Sequence, residues 1–191
     1  MVKMNQLNIS KGEYEYPIKQ RNKVLIRTFV YFLLPILIFV MGYLSTKTKT
    51  NLLTVVAIVG LLPGCKSLVN LIMFFLIPKF DINIYKSIKS KEGNVKTLYS
   101  LFLTSEKKNF PITCLAVKSN TIIGYSEFEN FNSSECIKHI EFILKQNAIK
   151  NVNVTFFENV NKFENRLEQM QKLESGNYDN EILSLLCDIS L

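Results

Sequence analysis

Apolar residues crowd into two stretches of this chain, Val24–Leu44 and Leu52–Ile77, and elsewhere recur at the short periods of soluble helices and strands. The first stretch is 21 residues with one charge, Arg27, near its start. As a helix rising 1.5 Å per residue it covers roughly 30 Å, the thickness of a bilayer's hydrocarbon core. Pro35 falls mid-segment, which membrane helices tolerate. A cleaved signal peptide fits poorly, because the basic leader and apolar run are long and no small-x-small site follows. The polar stretch Ser45–Asn51 is short enough to force a tight antiparallel hairpin. The second stretch stays apolar to Leu62, meets Pro63-Gly64-Cys65-Lys66-Ser67, and resumes as Leu68–Ile77. It predicts a helix over 52–77, with a break at 63–64 that separates a membrane-crossing half from an interfacial one.

After Pro78 the pattern changes to that of a small α/β domain over 78–174. Ile82, Tyr85 and Ile88 recur at helical spacing before Gly93. Leu98–Thr104 alternates like a strand, and Ile112–Lys118 and Thr121–Ser126 flank a Ser-Asn turn as a hairpin. Asn132-Ser-Ser-Glu135 reads as a capping box ahead of a helix with Ile137, Ile140, Ile143 and Leu144. Val152–Phe157 is a strand, and Val160, Phe163, Leu167 and Met170 line one face of another helix. Residues 175–191, with Asp and Glu but no Lys or Arg, form an acidic terminal helix or tail.

Charge divides along the same boundaries. The whole chain carries +7. Its excess of base lies in the leader 1–23, the start of the first helix, the hairpin loop, Lys66 and the segment just after Pro78. From Leu101 onward there are nine bases and twelve acids. A nucleic-acid-binding domain carries its own basic face, so no nucleic acid is expected as a partner. Six bases precede or begin the first helix and five follow the second, against two in the loop. The positive-inside rule then places both termini in the cytoplasm of a multi-pass cell-membrane protein. Lys19, Arg21, Lys23, Arg27, Lys66 and Lys79 are the residues expected to fix topology and meet anionic headgroups. Lys66 reads first as a snorkelling side chain and second, with Asn70, as the lining of an oligomeric path.

Motifs for chemistry are missing. Neither GxGxxG nor GxxxxGK[ST] occurs, so no phosphate-cradling loop is predicted. Cys65, Cys114, Cys136 and Cys187 are too far apart in sequence for a metal knuckle or CxxC pair. His139 is the single histidine, expected to face solvent. The pair Phe156-Phe157 reads as core. Glycosylation sequons at Asn8, Asn132 and Asn153 have no role in a cytoplasmic domain. No catalytic, cofactor or metal residue is assigned.

The order α-β-β-β-α-β-α resembles the restriction-endonuclease-like core. Catalysis there needs an acid opening the second strand and an acid-x-Lys in the third. Pro111-Ile112-Thr113 and Thr121-Ile122-Ile123 carry neither, so the expected domain is catalytically degenerate. The stretches Gly42–Ala57 and Leu62–Phe74 resemble two-helix membrane proteins of Gram-positive bacteria, some labelled "O-linked GlcNAc transferase-like". The resemblance implies the hairpin and no activity, since helical repeats and a nucleotide-sugar domain are missing. The expected function is a non-enzymatic membrane-anchored module that binds a protein partner or itself. The alternatives are a metal-dependent hydrolase or nuclease-like enzyme built on Glu127, Glu129 and Glu158, or a subunit of an oligomeric channel or transporter.

Overall fold

Pro17–Ile77 forms one compact unit, and residues 11–16 join Pro78–Leu191 in the other. The computed structural model describes residues 11–105 and 108–191. The sequon at Asn8 lies outside them.

The first unit is two long helices, α1 (Tyr16–Thr46) and α2 (Leu52–Leu76). Between them, Asn51 caps α2 by accepting the Thr54 N–H at 2.8 Å, while its amide donates to Thr46 Oγ1 at 2.8 Å and to the Thr48 carbonyl at 3.0 Å. That ties both ends of the turn. The seam uses small residues at helical spacing, Ala57, Gly64 and Ser67 being buried on α2. A Cβ on Gly42 would meet Leu53 Cβ at 2.8 Å, and one on Gly60 would meet Pro35 at 3.2 Å. Such contacts let apolar helices approach closely. The expected break at Pro63-Gly64 does not occur, and α2 runs unbroken through it. Proline removes one N–H from a helix, and a neighbouring helix can support the loosened turn. Here a Cβ on Gly64 would sit 3.4 Å from the Phe32 ring.

The second unit runs α3 (Ile82–Lys91), β1 (Lys96–Thr104), β2 (Asn109–Lys118), β3 (Thr121–Tyr125), α4 (Ser133–Gln146), β4 (Asn153–Phe157), α5 (Val160–Met170) and α6 (Asp179–Ile189). The sheet order is β1-β2-β3-β4. β1, β2 and β3 are antiparallel neighbours, and β4 lies parallel to β3 after the α4 crossover. Three layers result. Cys136, Ile140 and Leu144 of α4 and Ile182, Leu186 and Cys187 of α6 pack on one face of the sheet. Ile88 of α3 and Phe163, Leu167 and Met170 of α5 pack on the other. The acidic terminal segment is therefore a core helix rather than a tail. The Asn132 side chain accepts the Glu135 N–H at 3.0 Å, the first half of the capping box.

Two local features shape the sheet. Along β1, Leu98 joins the α4/α6 core and Tyr99 the α3/α5 core, yet Leu101 and Leu103 return to the α4/α6 side. Strict alternation would have sent them the other way. Ser100, at φ 52°, absorbs the reversal, and opposite it β2 reverses too, between Ile112 and Cys114. The β2–β3 turn is held by the buried Asp179, whose carboxylate accepts the N–H groups of Ser119 at 3.1 Å, Asn120 at 3.0 Å and Gly176 at 2.7 Å. Ser119 and Asn120 both have φ 54°, the left-handed pair of a two-residue hairpin.

Candidate functional site

Ligands of α/β folds commonly sit beyond the carboxyl ends of parallel strands. At that end of β3 and β4 lies a cleft of about 260 Å³, lined among others by Glu127, Glu129, Glu158, Phe128, Phe131 and Phe156. The three carboxylates are those singled out by position in the sequence. Glu127 is anchored: its N–H donates to Thr113 Oγ1 at 3.1 Å, and its Oε1 accepts the Asp81 N–H at 3.0 Å. Burial, followed by the nearby Asp81 charge, raises its pKa against the opposing hydrogen bond from Asp81. Glu129 and Glu158 are exposed. No Lys, Arg or His lines the cleft. Among the described residues no group of three His, Cys, Asp or Glu side chains converges tightly enough to hold a cation.

The cationic residues predicted to meet headgroups fall into two places. Arg21 lies 5.5 Å from the centre of the Phe75 ring. Lys19, Lys23, Arg27 and Lys66 are exposed on the helical hairpin, while Lys79 is exposed in the α/β unit. Thr28 Oγ1 and Ser67 Oγ meet at 2.7 Å in the buried seam, and Thr28 Oγ1 also donates to its own Val24 carbonyl at 2.8 Å. Arg27 and Lys66, each one residue away, thus stand at one level along the hairpin.

Sequence reasoning missed a third constellation. Residues 11–15, α3 and β1 border a groove of about 460 Å³. Tyr14 stacks on Tyr85 with ring centres 4.6 Å apart, and Tyr85 meets Tyr99 edge-on at 4.8 Å. Beside them Glu92 gathers Lys89 Nζ at 2.5 Å, Thr97 Oγ1 at 2.6 Å and the Tyr99 hydroxyl at 2.7 Å. Burial alone would raise the Glu92 pKa, but these bonds hold it below the ordinary carboxylate value. No local motif announces contacts between residues so distant in sequence.

The remaining singled-out residues are structural. His139 is half-buried rather than solvent-facing, its ring 5.9 Å from that of Phe110. Burial lowers its pKa, partly offset by a bond with the Thr104 backbone. Cys114, Cys136 and Cys187 are buried free thiols, and burial pushes Cys136 up to about 12. Such thiols are poor nucleophiles and ligands.

No family model matches this sequence. Comparison with curated proteins returns no similar sequence, and comparison with solved structures returns no similar fold.

Proposed function

We propose that the chain is a multi-pass cell-membrane protein whose hairpin anchors a cytoplasmic, non-enzymatic interaction module. The observation that carries this is the surface of α1 and α2. Both are long and apolar enough to cross a membrane, and only 17% of the most apolar window of each is buried. A soluble core helix hides such a surface. Leu34, Leu37, Met41, Val55, Ile58 and Leu62 instead point outward, where only lipid leaves them undisturbed. A signal sequence would account for α1 and leave α2 unexplained.

Depth along the hairpin supports snorkelling at Lys66. Ser67 is fifteen residues from the start of α2 and Thr28 eighteen from the end of α1, or roughly 22–27 Å from the turn. A hydrocarbon core of about 30 Å measured from that turn puts Arg27 about 2 Å and Lys66 about 9 Å inside the far boundary. Their long stems reach the headgroups from there. With Lys19, Arg21, Lys23 and Lys79 they favour anionic lipid and a cytoplasmic placement of both ends.

The strand order with β4 parallel to β3 supports a restriction-endonuclease-like reading, without the acid and Lys positions such chemistry uses. The hairpin likewise supports kinship with the two-helix proteins of Gram-positive bacteria. One observation favours the enzymatic alternative, the Glu127–Glu129–Glu158 cleft at the carboxyl ends of β3 and β4. Crosslinking and recovery of the intact protein from native membranes distinguish the two. A stoichiometric protein partner or a second copy supports the module. Tight Mn²⁺ binding by the purified protein, lost in Glu127→Gln, favours the enzyme.

A further inference from the structure

The two edges of the sheet are treated differently by the chain. At β1 the edge is closed by the protein itself: the Tyr99 N–H donates to the Gly12 carbonyl at 2.7 Å, the Leu191 N–H donates to the Phe102 carbonyl at 3.0 Å, and Ser190 bridges Leu103. At β4 no described strand or loop pairs with the outer side. None of its five residues is buried. Along it runs a groove of about 440 Å³ bounded by Glu141 of α4 and Arg166 of α5. Natural edge strands are blunted with Lys, Pro or bulges, and Asn153-Val-Thr-Phe-Phe157 contains no Lys, Pro or Gly.

We propose that β4 pairs antiparallel with β4 of a second copy, joining two four-stranded sheets into one. The inference deepens the interaction-module reading by naming its partner and surface, and it does not depend on the membrane. The hydrogen-bond groups fit a twofold axis. The Asn153 N–H donates inward to the Asn120 carbonyl at 3.1 Å, so alternation turns the N–H and C=O of Val154 and Phe156 outward. An axis through Thr155 sets Val154 against Phe156 of the second copy, and the reverse, as two doubly hydrogen-bonded pairs. The side chains are self-complementary in the same register. Val154 meets Phe156 on the face where both already pack against the α4/α6 core, a β-branched–aromatic pair. Thr155 meets Thr155, and both pairings are favourable across strands.

The test uses the full chain in detergent, with polypeptide mass measured by light scattering. The expected mass is twice 22.0 kDa. Val154→Pro removes an N–H that the β3 ladder does not use, so it should leave the thermal transition in place and weaken the dimer by at least about tenfold. Thr155→Arg sets like charges opposite each other on an exposed position and should give a monomer without relying on proline. In a Cys65→Ser background, Thr155→Cys should form a disulfide dimer on oxidation, since unbonded antiparallel pairs lie about 4.5 Å apart. Lys96→Cys at the closed edge should not. A monomeric wild-type protein overturns the proposal. So does a dimer that survives both Val154→Pro and Thr155→Arg, or a wild-type chain held at β4 only by a different protein. Membrane extraction of the same samples reports separately on the anchor.

Discussion

The Tyr14 hydroxyl donates to the Phe80 carbonyl at 2.6 Å, joining the segment that leads into α1 to the segment that follows α2. Sixty-six positions apart in sequence, these residues pin the two connections of the α/β unit side by side. The Tyr14 ring completes the clamp by stacking on Tyr85. Tyr14→Phe removes the hydrogen bond alone and should cost about 1 kcal/mol. Tyr14→Ala also removes the stacked ring and should cost roughly 2–4 kcal/mol. Denaturant unfolding followed by tyrosine fluorescence reads both, and equal losses in the two variants would contradict the assignment.

Asp179 gives the second prediction. Its carboxylate takes three backbone N–H groups, two of them from the β2–β3 turn. Asp179→Ala takes the shared acceptor from three partly buried bonds and should destabilise the α/β unit by about 1–3 kcal/mol. Amide exchange at Ser119 and Asn120 should accelerate more than exchange along β1.

Acid should unfold the α/β unit in two stages. Burial holds His139 below its ordinary 6.5. The unfolded chain therefore takes up that proton first, and stability declines as pH falls below about 6.5. Glu164 is buried, yet Lys91 at 2.7 Å and Ser87 at 2.5 Å hold its pKa below the ordinary value. Glu92 is lowered in the same way. Their contribution is complete above the unfolded carboxylate value and is lost as pH falls through the lower folded values. Glu127 runs the other way: its raised pKa makes ionisation unfavourable in the fold, a cost relieved on acidification. A midpoint series from pH 8 to 3 checks the sequence of events. His139→Gln should flatten the upper stage and Glu164→Gln the lower.

Within the hairpin, Thr28 and Ser67 share a hydroxyl contact while Thr28 also bonds its own helix. That internal bond limits what the pair adds between helices. A double-mutant cycle of Thr28→Val and Ser67→Ala should give a coupling of about 0.6 kcal/mol. Gly42→Leu should disrupt the hairpin far more, because even a Cβ there meets Leu53 at 2.8 Å. Unfolding of the full chain in mixed micelles measures both effects.

The hairpin was readable because two long helices with apolar outer surfaces demand only apolar residues in sufficient number, and both runs supply them. The strands and most helices of the α/β unit were readable from period and caps. Pro63 misled because local cost suggests a break, whereas the fit of Gly64 on Phe32 is visible only in three dimensions. The terminal segment reads as either a helix or a tail because its acids obscure Ile182 and Leu186, the i,i+4 pair that docks α6. Nothing local marks Ser100 as the place where β1 changes faces. The acidic cleft was partly legible, since Glu127 and Glu129 follow β3 and Glu158 follows β4. The Tyr14–Tyr85–Tyr99 group was not, because three separate elements bring it together.

The anchor itself is tested most directly by cysteine accessibility in intact cells, in a Cys65→Ser background. Lys49→Cys lies in the turn between α1 and α2, and Lys172→Cys is exposed just after α5. A membrane-impermeant maleimide should label Lys49→Cys from outside and reach Lys172→Cys only after permeabilisation, with both variants resisting alkaline extraction from the membrane fraction. Labelling of Lys172→Cys in intact cells, or recovery of the chain in the soluble fraction, would contradict a cytoplasmic domain held by a two-helix hairpin.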